Sequence, residues 1–169
     1  MLTRYPSRLA LMALVVAMCA ACSGSTSPTE PDAIATAPTD FSGQYLGTYL
    51  VTSCSADPVF GSFCGGFPAG TTPPITLSLT QSLKDVTGTI SLGALTGTFT
   101  GTASGGVLTA IAVMQDVDAG SGATVKVTVE NWSTTFTGSS LTGGFHIVFR
   151  APSSSGTATL TATIQQLIR

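Results

Sequence analysis

ITLSLTQSLKDVTGTISLGALTGTFTGTASGGVLTAIAV, Ile75 to Val113, alternates apolar and polar side chains with few interruptions. Ile75, Leu77 and Leu79 are separated by Thr76, Ser78 and Thr80. Val86, Ile90 and Leu92 are separated by Thr87, Thr89 and Ser91. Leu95 and Phe99 share one side, with Thr96, Thr98, Thr100 and Thr102 on the other. A period of two puts successive side chains on opposite faces of a strand, one buried and one wet. Threonine suits the wet face, because its β-branch fits a pleated surface. The same β-branched run, with its many glycines, disfavours a helix. Leu83-Lys84-Asp85, Gly93-Ala94 and Ser104-Gly105-Gly106 punctuate the stretch. Turns this short join antiparallel neighbours, so the stretch predicts four strands in a meander of hairpins. Leu-Thr-Gly recurs at 95–97 and 141–143, and Thr-Gly-Thr stands at 87–89. These cues point to hairpin chemistry, with no fixed period that would mark a repeat protein.

The pattern extends to both sides. A first strand is expected over Gln44–Ser53, followed by the longest irregular segment, Cys54–Pro74. After the meander, whose last strand is expected to reach Gln115, Asp116–Gly122 reads as a turn. Ala123–Phe136 reads as a long strand, with Val125, Val127 and Val129 alternating with Lys126, Thr128 and Glu130. Leu141–Phe149 returns, Ala151–Ser155 is a loop, and Gly156–Leu167 closes the set. The expectation is an all-β domain over 41–169, an antiparallel up-and-down meander of about eight strands closing into a small barrel. Closure removes exposed sheet edges. A two-sheet β-sandwich is the alternative. An eight-stranded barrel has an interior that side chains fill, or that holds one small ligand.

Composition narrows the function classes. Charged residues are 8% of the 169-residue chain, against roughly 25% in ordinary globular proteins. Serine, threonine and glycine take their place on the surface. No basic patch interleaved with aromatics is present, which argues against nucleic-acid binding.

The N-terminal segment has the layout of a signal peptide over 1–21. Arg4 and Arg8 form its charged end, Leu9–Met18 its apolar centre, and Ala20 and Ala21 its small-residue end. The apolar run falls short of the roughly 20 residues of a membrane span. Loss of this leader leaves four basic residues against eight acidic ones, a net charge of −4. Cys19-Ala20-Ala21-Cys22 resembles the lipobox of bacterial lipoproteins, with Cys19 where that pattern has Leu. The resemblance implies that Cys22 receives the lipid and that Ser23, not being Asp, permits sorting to the outer membrane. Acylation at Cys19, or an ordinary cleaved signal, are the alternatives. Ser23–Asp40, rich in Ser, Thr, Ala and Pro, reads as a flexible tether, so that 22–40 joins lipid to barrel.

A second resemblance lies in the domain. Gly43-Gln44-Tyr45 and Gly47-Thr48-Tyr49 stand where lipocalins carry Gly-x-Trp, and the meander as a whole resembles the small lipocalin and avidin barrels. Avidins build their biotin site from several Trp; this chain has Trp132 alone, so biotin binding is not carried over.

Few residues offer chemistry. Cys54 and Cys64, in an exported chain, are expected to form a disulfide. His146 is the one histidine; without a Gly-x-Ser-x-Gly elbow it reads as a strand residue facing away from the apolar side. Asp116 and Asp118 fall short of a calcium loop, and Glu130 and Asp85 show no partner for a glycosidase pair. No metal or cofactor is expected. Phe60, Phe63 and Phe67 of the Cys loop, with Trp132, are the candidate ligand-binding residues; the alternative is that they plug the barrel end. The Cys loop is expected to form a lid over the mouth.

The expected function is a non-enzymatic, lipid-anchored cell-envelope protein whose barrel binds a small apolar ligand or an envelope protein. A structural or assembly lipoprotein with a solidly packed barrel is the second reading, and a hydrolase the third. A membrane-spanning barrel would carry its apolar side outward.

Overall fold

The computed structural model describes residues 39–118, 123–152 and 155–169. The signal segment, Cys22 and nearly all of the tether lie outside the described residues, as do parts of the expected 116–122 and 151–155 turns.

Strands β1 (Gly43–Ala56), β2 (Pro74–Ser82), β3 (Asp85–Leu92), β4 (Leu95–Ser104) and β5 (Val107–Met114) follow one another, each antiparallel to the last. A two-residue strand, β6 (Val117–Asp118), precedes β7 (Thr124–Thr137), β8 (Ser140–Arg150) and β9 (Thr157–Ile168). β5 pairs with β7, β7 with β8, β8 with β9, and β9 with β1. The ring is thereby closed: an eight-stranded antiparallel barrel, with β6 added alongside β7. The expected barrel is the observed one, and the sandwich is not formed. The expected turn at 116–122 is partly strand, because Val117 and Asp118 pair with Val125 and Thr124.

The alternation of the sequence maps onto inside and outside. Ile75, Leu77, Leu79, Val86, Ile90 and Phe99 are buried in the barrel, while Thr80, Thr87, Thr89, Thr98 and Thr100 are exposed on its wall. Apolar side chains inside and threonine outside is the reverse of the lipid-facing band of a transmembrane barrel. Gly105 and Gly106, at φ 56° and 81°, make the β4–β5 turn, as a two-residue hairpin with positive φ at both positions demands. Gly88 serves differently. It stands inside β3, where a Cβ would overlap the Ser78 carbonyl of β2. The Thr-Gly-Thr cue is therefore a close approach of strands needed for curvature, not part of a turn.

In β7 the inward face changes parity. Val125, Val127 and Val129 point in, and so do Trp132 and Thr134. The extra residue is a bulge between Glu130 and Ser133, where Asn131 sits at φ 52°, a conformation that asparagine tolerates better than most side chains.

One end of the barrel is sealed. Phe41 is fully buried beneath the first strand and packs edge-on against Phe136 at 5.7 Å. Its backbone N–H donates to Gln81 Oε1 at 2.8 Å, and its carbonyl accepts from the buried Tyr45 hydroxyl at 3.0 Å. The Arg169 guanidinium lies 5.4 Å from the Phe136 ring centre and donates to the Ser42 carbonyl at 2.9 Å. Tyr45→Phe leaves the Phe41 carbonyl without this donor in a dry site. The expected loss is about 1–2 kcal/mol of unfolding free energy, read as a lowered urea midpoint with an unchanged slope.

Candidate functional site

The opposite end is built from the ends of strands and the long connection between β1 and β2. That connection is more ordered than an irregular loop. β1 continues through Cys54 to Ala56, and two 3₁₀ turns follow, Pro58–Phe60 and Phe63–Gly66. Cys54 and Cys64 form the expected disulfide, with Cα atoms 5.6 Å apart. Asp57 ties the segment to β9: its N–H donates to the Thr157 carbonyl at 2.9 Å, and its carboxylate accepts from the Thr157 N–H at 2.6 Å. The returning chain is held to β1 by Gly70 N–H to Val51 O at 2.8 Å and Val51 N–H to Thr71 O at 2.9 Å. Every one of these holds brings the segment across the barrel mouth.

The phenylalanines then form the underside. Phe63 packs on Phe60 at 5.8 Å, on Phe67 at 5.0 Å and on Phe149 of β8 at 4.7 Å. Between these rings and the barrel rim lies a cavity of about 500 Å³, a size typical of small-molecule sites. Phe60, Phe63, Phe67 and Phe149 wall one side, and Leu92, Leu95, Val125, Ile147 and Leu160 are among the residues on the barrel side. Tyr49 supplies the one polar side chain of the lining among the described residues, and no charged residue lines it. Burial pushes the Tyr49 phenol above its ordinary pKa, so at neutral pH the hydroxyl is a neutral hydrogen-bonding group.

The structure brings Phe60, Phe63 and Phe67 together and leaves Trp132 apart. Trp132 is not at the mouth. It fills the middle of the barrel, stacked on Phe145 at 5.0 Å and edge-on to Phe99 at 5.1 Å. Its Nε1–H donates to Thr134 Oγ1 at 3.1 Å, and Thr134 is itself only 1% exposed. The reason is the β7 bulge, which turns Trp132 inward at a level where the barrel has no room to spare. Phe149 and Tyr49 complete the cavity and were not singled out by sequence. Their signal was the alternation of β8 and the second Gly-x-Tyr of β1, which place them inside without saying at what depth.

The remaining candidates sit on the outer wall. His146 is half-buried there, as its alternation with Phe145 and Ile147 requires, with Nδ1 3.1 Å from Asn131 Nδ2. Glu130, its cross-strand neighbour, pairs with Arg150 at 2.7 Å and accepts from the Thr128 hydroxyl at 2.7 Å. The Thr128 hydrogen bond, aided by Arg150, holds the Glu130 carboxyl below the usual carboxylate range. This partly exposed network ties β7 to β8, and its Thr128, Glu130 and Asn131 line a half-open hollow of about 270 Å³ on the outer wall. Among the described residues no group of three His, Cys, Asp or Glu side chains is placed to hold a metal ion, and no helix is long and apolar enough to cross a membrane.

No protein-family model, curated protein or solved structure matches the chain.

Proposed function

We propose that this is a lipid-anchored protein of the bacterial cell envelope, without enzymatic activity, whose barrel holds a small apolar ligand under the disulfide-strapped loop. The single observation that carries the binding half is the cavity of about 500 Å³ between Phe60, Phe63, Phe67 and Phe149 and the barrel rim. Apolar walls gain free energy by exchanging water contact for ligand contact. The anchoring half is supported by the lipobox-like Cys19-Ala20-Ala21-Cys22 and the Ser/Thr/Pro-rich stretch after it. Several acyl chains on Cys22 would hold the protein at a membrane stably, at about 0.8 kcal/mol per buried CH₂.

Organic extraction of the protein purified from its own cells, followed by mass spectrometry, tests the binding half. An apolar compound recovered in near-stoichiometric amount from the wild type, and depleted in Phe63→Arg, is the expected result. For the anchor, Cys22→Ser is expected to move the protein from the detergent to the aqueous phase in a phase-partitioning assay. Unchanged partitioning removes the lipoprotein assignment.

A second reading has its own support. The aromatic plug of Phe99, Trp132 and Phe145 fills the middle of the barrel, as in a structural or assembly lipoprotein with a packed barrel. Failure to recover or bind any apolar compound favours that role.

A further inference from the structure

Tyr49 is 4% exposed, yet its hydroxyl has no hydrogen-bond partner among the described residues. The contrast with Tyr45 is direct: both are buried tyrosines of β1, and the Tyr45 hydroxyl is bound to the Phe41 carbonyl at 3.0 Å. Among the described residues, no side-chain polar atom that is completely sealed from solvent lacks a partner. The Tyr49 hydroxyl therefore keeps some open space beside it, and the space that Tyr49 lines is the cavity. Water entering the cavity can satisfy that hydroxyl, so a ligand that displaces the water must replace its hydrogen bond or leave the group unpaired.

Resting on the binding role proposed above, we infer that the ligand is a neutral, mostly apolar molecule with one oxygen, a ketone or an alcohol, at its inner end, hydrogen-bonded to the Tyr49 hydroxyl. Neutrality follows from the lining. Among the described residues no charged side chain lines the cavity, and an ion carried in without a counter-charge loses its hydration uncompensated. The rest of the molecule lies against Phe60, Phe63, Phe67 and Phe149, which offer only ring faces and edges. A single polar anchor in an apolar site fixes orientation, and it rejects an analogue without the oxygen less severely than a charged anchor would.

The test uses two naphthalenes with the same number of non-hydrogen atoms: 2-acetylnaphthalene, which carries a carbonyl, and 2-isopropylnaphthalene, which does not. Both compete against N-phenyl-1-naphthylamine for the full chain bearing Cys22→Ser, prepared without detergent. Tyr49→Phe is expected to weaken the ketone about three- to tenfold, the effect of one net hydrogen bond. It is expected to leave the hydrocarbon within about twofold. Tyr45→Phe, whose hydroxyl serves the Phe41 carbonyl, should leave the ratio of the two affinities unchanged. Equal losses for both compounds in Tyr49→Phe, or no loss for either, overturn the assignment of Tyr49 while leaving the apolar site standing. Failure of both compounds to displace the dye from unmutated Tyr49 protein overturns the binding role and this assignment together.

Discussion

Trp132→Ala is expected to unfold the barrel or leave it barely folded. The indole is 1% exposed and lies between Phe99 and Phe145, in contact with both rings. Truncating a buried aromatic to alanine costs about 3–5 kcal/mol, because the lost transfer energy is joined by an unfilled cavity. The Thr134 hydroxyl, fully buried, would also lose its donor, and an orphaned buried polar group costs about 1–3 kcal/mol. The two terms share one site and will not simply add. Even the first approaches the stability of a marginal domain, about 5–15 kcal/mol in all. Urea titration followed by near-ultraviolet circular dichroism should show a loss of at least about 4 kcal/mol, while Trp132→Phe, which keeps a stacked ring, loses less. A loss below about 2 kcal/mol would mean that the middle of the barrel does not depend on this plug.

Replacing both Cys54 and Cys64 by Ser has the next largest effect, and it should be local. The bridge spans 10 residues, for which the chain-entropy estimate is about 2.5–3 kcal/mol. The loop has two further holds, Asp57 on Thr157 and the pairing of Gly70 and Thr71 with Val51. These keep its ends in place without the bridge. What loosens is the segment between them, where Phe60 and Phe63 stand. Far-ultraviolet circular dichroism should keep its strand signature, and proteolysis should accelerate between Val59 and Phe67. Mass mapping of the early fragments reads this directly. Equal cleavage in wild type and double mutant would show that the bridge does not order the lid.

The barrel was legible because its causes are local. Alternation of Ile75, Leu77 and Leu79 with threonine and serine, and the paired glycines 105 and 106, settle strand and turn within a few residues of chain. The disulfide was legible for the same reason, since Cys54 and Cys64 stand 10 positions apart in sequence. Depth along the barrel was not legible. Trp132 and Phe149 both point inward, yet one plugs the centre and the other lines the mouth. That difference depends on the stagger of strands around the ring, and on the bulge at Asn131. The parity change from Val129 to Trp132 was visible in the sequence and was the available clue. The closing pair, β5 with β7, skips β6 and carries its own register shift between Ala110 and Ala112, so nothing in either strand alone announces it. The cavity was not legible either. It exists because the rings under the loop do not fill the volume above the plug, which is a property of the assembled side chains and not of any segment.

The site itself can be mapped most directly by nuclear magnetic resonance. The ¹⁵N-labelled full chain bearing Cys22→Ser would be titrated with 2-isopropylnaphthalene and the backbone amides followed. Amide shifts confined to Tyr49, Phe60, Phe63, Phe67, Leu95 and Phe149, saturating at one equivalent, are the predicted result. Shifts that fail to saturate, or that centre on the exposed Ile111 and Val113 of the outer wall, would contradict a ligand site at the mouth of the barrel.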